Sequence, residues 1–201
     1  MPTGVGGPSG VGGGGLVAYN AAMDADINES DGEANPPDAN DPERTATAYH
    51  EAGHAVMALA LGRPVHKVTI VPGQSELGLQ RQGVCHIKKG RTRSSKDWLE
   101  DEVLILLAGL VAEARWTGRY SLGGAAQDLR QVRRYVQMRA EGAKQIERLE
   151  RRWLSKTEHH LSDPGLWLAT ERIAMELLRS QTISGRNAKH LFDIAQTESD
   201  S

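Results

Sequence analysis

His50, Glu51 and His54 form the pattern His-Glu-x-x-His inside residues 46–61, a stretch of good helix formers. Side chains four apart on an α-helix stand one above the other. The two imidazoles therefore point at one spot, the spacing a tetrahedral zinc ion needs. Glu51 lies about 100° round the helix from His50. From there it reaches a water in the open position of the metal without being a ligand itself. A base poised over an activated nucleophile is the arrangement of a zinc hydrolase.

The competing reading is a surface helix with three solvated polar side chains. The flanks argue against it, since Ala52, Gly53, Ala55, Val56 and Met57 are small or apolar and suit a buried helix. Gly53 in mid-helix costs about 1 kcal/mol relative to Ala and marks the close approach of another backbone. Catalytic zinc usually takes three protein ligands. The third could be Glu113 on a following helix, a distant His86, His159, His160 or His190, or Asp128 at a helix start. Spacing alone does not choose among them. Asp128 does follow a Gly-rich loop, where the helix dipole favours a carboxylate in the first turn.

Those helices must come from a chain of 201 residues, enough for one domain of ordinary size and a tail. With 39% hydrophobic but only 4% aromatic residues, the core is built from Leu, Ala, Val and Ile, which favours helices over a β-sandwich. The expectation is a mainly α fold with a small β-sheet or hairpin. Residues 1–43 carry eight acidic groups and no Lys or Arg. The other 18 of the 26 Asp and Glu face all 24 Lys and Arg in residues 44–201, a balance of +6. That is far from a nucleic-acid signature, and the Arg-rich segment 130–152 reads as a solvated helix face, so no nucleic-acid partner is expected. Cys85 is the only cysteine, which excludes an intrachain disulfide. The N-terminus has no signal-peptide pattern, and the longest apolar run, residues 103–112, is about half of what spans a bilayer. These features point to a soluble cytoplasmic protein with no membrane span.

The chain divides into a Gly-rich, acidic tail (1–43), a folded domain (44–195) and a short polar C-terminal tail (196–201). The N-terminal tail buries too little apolar surface to offset its ordering entropy. Asp41-Pro42-Glu43 starts a helix, with Asp as N-cap and Pro at the first position, that stops at Gly62. Residues 65–71 are β-branched and read as a strand, and residues 79–87 as a weaker one. Residues 88–96 form a basic loop. Ser94 and Asp97 resemble a capping box that opens a buried helix over 95–116. A charged helix spans about 125–156, with Gly142 as a break or bend. Asp163-Pro164 opens a helix to about Ser180, and Ser184 caps a last helix to about Ala195.

Four blocks in order resemble the peptidase domain of the FtsH family, the membrane-anchored AAA+ zinc metalloproteases. Thr47-Ala48-Tyr49-His50-Glu51-Ala52-Gly53-His54-Ala55 is similar to that family's zinc helix, and residues 64–72 to the strand after it. Leu107-Ala108-Gly109-Leu110-Val111-Ala112-Glu113 is similar to the Gly-Gly-Arg-Ala-Ala-Glu helix, though Leu110 stands where Arg is usual. Ala114 likewise stands where a second Glu is frequent. Gly124-Ala125-Ala126-Gln127-Asp128-Leu129 resembles Gly-Ala-x-x-Asp-Leu, whose Asp is the third zinc ligand. Residues 173–185 are similar to the C-terminal helices.

The resemblance implies one zinc ion per chain held by His50, His54 and Asp128, Glu51 as general base, and Glu113 supporting the ligands from behind. It implies metalloendopeptidase activity on unfolded or flexible polypeptides. The strand at 65–71, with Val68, Thr69 and Ile70, is expected to pair with extended substrate. The chain carries no phosphate-binding Gly-x-x-x-x-Gly-Lys-Ser/Thr loop, so cleavage is expected without its own ATPase, with a separate ATPase or adaptor as partner. The family's peptidase domains form hexamers, which makes a homo-oligomer an expectation. The alternative is a non-catalytic zinc-containing adaptor or regulator of a full-length FtsH-type protease. Cys85-His86 lacks a further partner for thiol chemistry and reads as part of a strand. His159-His160 reads as an exposed helix end, and Trp98, Trp116, Trp153 and Trp167 as core or interface residues.

Overall fold

The computed structural model describes residues 41–74, 80–81, 83–88, 90, 92 and 94–200. The tail assigned to residues 1–43 lies outside them up to residue 40. Asp41 is already the N-cap of helix α1 (Pro42–Ala60), its side chain accepting from the Glu43 N–H. The central eleven residues of α1, Ala48 to Ala58, are all buried. Gly62 follows with φ 73°, the left-handed conformation that glycine adopts without strain.

Helix α1 crosses α2 (Trp98–Thr117) at Gly53. A side chain there would run into the Ala108 carbonyl and lie 2.7 Å from the Ala112 β-carbon. The expected close approach of another backbone is thus made by α2. Asp97, rather than Ser94, caps α2 and accepts from the Glu100 N–H at 3.1 Å. Ser95 instead turns back to the Asp97 N–H, so the helix starts three residues later than its sequence suggests. Helix α2 ends at Gly118 in the left-handed conformation.

The charged segment is two helices, α3 (Ala126–Gln137) and α4 (Ala143–Ser162), because Gly142 takes φ 84° between them. Helix α5 (Pro164–Ser180) begins on the Asp163 cap, and α6 (Gly185–Ser199) on Ser184. Helix α6 runs four residues past Ala195. The core joins α1, α2 and α5 with α3, α4 and α6 around them, and Trp153, Leu107, Leu110, Ile173 and Leu177 are fully buried within it. Of the other tryptophans, Trp98 is the most exposed at 54%.

Strand β1 (Val65–Thr69) stops two residues short of the expected end. The weaker strand is split: β3 (Gln80–Arg81) pairs with β2 (Gly73–Gln74), while β4 (Val84–Ile87) pairs with β1. Leu79, its expected start, lies outside the described residues. A short strand that no run of β-branched residues signalled, β5 (Thr182–Ser184), completes an antiparallel sheet of order β4-β1-β5. The substrate role expected at Val68, Thr69 and Ile70 falls on the central strand of this sheet and its end. Val68 is paired with Cys85 on one side and Ile183 on the other, and Thr69 with Val84 and Thr182. The Ile70 N–H is given to the Gln181 carbonyl, and all three side chains are buried. β1 is thus the central strand, and β4 and β5 are the outer strands of the sheet. No helix of the described residues is long and apolar enough to cross a membrane.

Candidate metal centre

His50 and His54 project from the buried face of α1 with their rings 4.7 Å apart at 81°. Asp128 comes from the first turn of α3, 78 residues downstream of His50. Its Oδ2 lies 3.1 Å from His50 Nε2 and 3.2 Å from His54 Nε2. Among the described residues these three form the one group of His, Cys, Asp and Glu whose donor atoms converge closely enough to hold a metal. His86, His159, His160 and His190 do not join it.

The opposite ring nitrogens are fixed by partners. His54 Nδ1 donates to the Ile105 carbonyl at 2.7 Å, and His50 Nδ1 donates to Glu113 Oε2 at 3.0 Å. With Nδ1 tied in each ring, it is Nε2 that points toward Asp128 and would lose its proton and offer its lone pair to a metal. Glu113 thus touches His50 from behind and stays out of the donor group.

Helix α2 also shapes the space in front of the ligands. A β-carbon on Gly109 would sit 2.5 Å from His54 Nε2 and 2.7 Å from His50 Nε2, inside the cradle that both nitrogens face. The missing side chain, the two tied Nδ1 atoms and an N,N,O donor set fit zinc. The protein groups alone already hold opposite charges at this spot. Burial opposes a charged His50, but Asp128 and Glu113 outweigh it and carry its pKa up to about 10. Burial also opposes a charged His54, and the Asp128 charge outweighs it. Burial works against the Asp128 carboxylate too, but His54 and His50 hold it below the ordinary carboxylate range.

Glu51 is buried beside the ligands, 6% exposed, with the α-carbon of Gly83 against its carboxylate. Burial, followed by the Glu51 and Asp128 charges, pushes the Cys85 thiol up, which favours its neutral form. Two of the tryptophans have a structural role near the site. Tyr49, next to His50, stacks between Trp116 at 5.4 Å and Trp167 at 5.8 Å, which fixes the rotation of α1 against α2 and α5.

A two-histidine helix completed by an aspartate on a later helix is a narrow architecture. The profile of peptidase family M41 matches residues 38–142, more than half of the 201 residues. The chain belongs to peptidase family M41. Its site residues all fall inside that match. The chain is similar to ATP-dependent zinc metalloprotease FtsH 4 of Sorangium cellulosum, 41% identical over 96 residues, covering 46% of this chain and 14% of the relative. It is similar to ATP-dependent zinc metalloprotease FtsH of Magnetococcus marinus, 51% identical over 73 residues, 35% of this chain and 10% of the relative. The enzyme of the same name from Cupriavidus metallidurans is 44% identical over 85 residues, 41% and 13% of the two chains. The matched part is 14% or less of the length of these relatives.

The spacing pointed to His50, Glu51 and His54, and the FtsH resemblance pointed to Asp128 and Glu113. The Ile105 carbonyl, Gly109 and Gly83 were missed as parts of the site. Gly109 stands in the quoted Ala108-Gly109 block, but only the fold reveals what its absent side chain faces.

Proposed function

We propose that the chain is a zinc-dependent metalloendopeptidase that cleaves unfolded or flexible polypeptides. The observation that carries this is the convergence of His50 Nε2, His54 Nε2 and Asp128 Oδ2 beside a buried Glu51 on the same helix as the histidines. His50, His54 and Asp128 would hold the zinc, which would serve as the Lewis acid toward the scissile carbonyl and the attacking water. Glu51 accepts the proton of the attacking water and returns one to the leaving amine. Glu113 and the Ile105 carbonyl hold the two imidazoles in the tautomer and orientation that ligation needs.

β4, an outer strand of the three-stranded sheet, is the surface for an extended substrate. It begins at Val84, next to Gly83 and Glu51, and backbone pairing along it would select extended chains with weak sequence preference. Folded substrates need unfolding first. Delivery by an ATPase, and assembly into a homo-oligomer such as a hexamer, rest on the likeness to the FtsH proteins. The alternative, a zinc-containing adaptor for a full-length FtsH-type protease, is an outcome of the same test.

That test is hydrolysis of casein and of a short unstructured peptide by purified, zinc-analysed protein. Cleavage abolished by a chelator and restored by zinc is the expected result. A protein that carries one zinc and cleaves neither substrate is the adaptor instead.

A further inference from the structure

Gly83 stands at the entrance to β4, and no turn requires it: its φ is not among the left-handed ones. Space requires it. A β-carbon at this position would lie 2.8 Å from both Cγ and Oε1 of Glu51 and 2.9 Å from the Thr69 carbonyl oxygen. Gly73, in the neighbouring β2, has nothing within 4 Å of the same position. The Thr69 carbonyl belongs to the central strand, which is paired on both sides. It cannot retreat without disturbing the sheet. Glu51 can move by rotation of its side chain, so an added methyl group displaces the carboxylate first.

We propose that Gly83 is a positioning residue for Glu51: its bare α-carbon is the wall against which the carboxylate is held toward the metal cradle. The strand whose edge takes the substrate and the group that moves the proton then share one contact. This rests on Glu51 acting as the base, and the experiment separates the two.

Gly83→Ala is compared with wild type, Glu51→Gln, Glu51→Ala and the Glu51→Ala/Gly83→Ala double variant, with Gly73→Ala as control. Zinc content, thermal midpoint, kcat and KM on an unstructured fluorogenic peptide are measured. Gly83→Ala is expected to keep its zinc and its KM while kcat falls ~10–100-fold, the scale of a displaced reacting group. Gly73→Ala is expected to match wild type. Alanine at position 51 removes both Glu51 atoms that the methyl group would meet, so adding Gly83→Ala to Glu51→Ala is expected to lower the residual kcat no more than ~2-fold.

A Gly83→Ala kcat within ~2-fold of wild type, a loss confined to KM, or the full loss persisting when Gly83→Ala is added to Glu51→Ala would overturn the role. If Gly83→Ala fails to fold, the double variant decides. Recovery of folding assigns the clash to Glu51 and supports the role; continued failure assigns it to Thr69 and overturns it. Undiminished cleavage by Glu51→Gln removes the base itself, whatever Gly83 does.

Discussion

His54 donates its Nδ1 hydrogen to the Ile105 carbonyl at 2.7 Å, one helical turn before Gly109, whose bare α-carbon faces the other ring nitrogen of the same imidazole. Helix α2 thus grips the ring on one side and vacates the space in front of it on the other. Gly109→Ala places a methyl group 2.5 Å from His54 Nε2. The protein is expected to lose bound zinc and ~1–3 kcal/mol of stability, the usual cost of overpacking. Metal analysis after dialysis, beside a chemical denaturation curve, checks this. Full zinc occupancy in the alanine variant would show that the ligands are not held at this crossing.

Glu113 accepts from His50 Nδ1 while buried at 6% exposure. Carboxylates placed behind a metal-bound histidine raise its basicity and set its orientation. Glu113→Ala is expected to weaken zinc binding ~10–100-fold, and Glu113→Gln, which keeps an acceptor but no charge, less than that. Competition with a chromophoric chelator measures both. Equal affinity in all three proteins would reduce Glu113 to a packing residue.

How far the sequence reached follows from the range of each signal. Asp41-Pro42 and Asp163-Pro164 mark helix starts through bonds within one turn, and both helices begin there. The i, i+4 spacing of His50 and His54 is likewise local. Asp128 is 78 residues from His50, so spacing left it among several acidic and histidine candidates until the motif resemblance selected it. Strand β5 is three residues long and owes its existence to β1, against which it lies. The filled edges of β1 and the contacts of Gly83 and Gly109 are properties of tertiary packing, with no periodicity or composition to announce them.

Asp97 links the start of α2 to the end of α3, capping the Glu100 N–H and forming a two-pronged ion pair with Arg139, one arm at 2.6 Å. The Arg139 hydrogen bonds hold its pKa below the ordinary carboxylate value, with burial opposing and the Glu100 N–H assisting. A lowered folded-state pKa contributes stability that is fully present above the unfolded value of about 4 and is lost as pH falls through the folded one. Asp97→Asn keeps a capping acceptor but no charge. Its melting temperature is expected to lie below wild type at neutral pH, with the gap closing as pH falls below the unfolded carboxylate value and through the lowered folded one. A gap that is constant with pH would assign the effect to the cap alone.

Short unstructured peptides need no unfolding before they reach the β4 edge. Their cleavage by the purified protein is therefore expected to proceed at the same rate with and without ATP. Strict dependence on ATP would mean that the site is assembled only by a motor.

The central claim is that Glu51 moves the proton at a zinc site built by His50, His54 and Asp128. Glu51→Gln tests it most directly, because glutamine fills the same space and leaves the three ligands untouched. One zinc per chain with peptide cleavage lowered ~10³-fold is the predicted result, inside the range of about 10²–10⁴ typical of a general base. Cleavage at the wild-type rate by a zinc-loaded Glu51→Gln protein would contradict it.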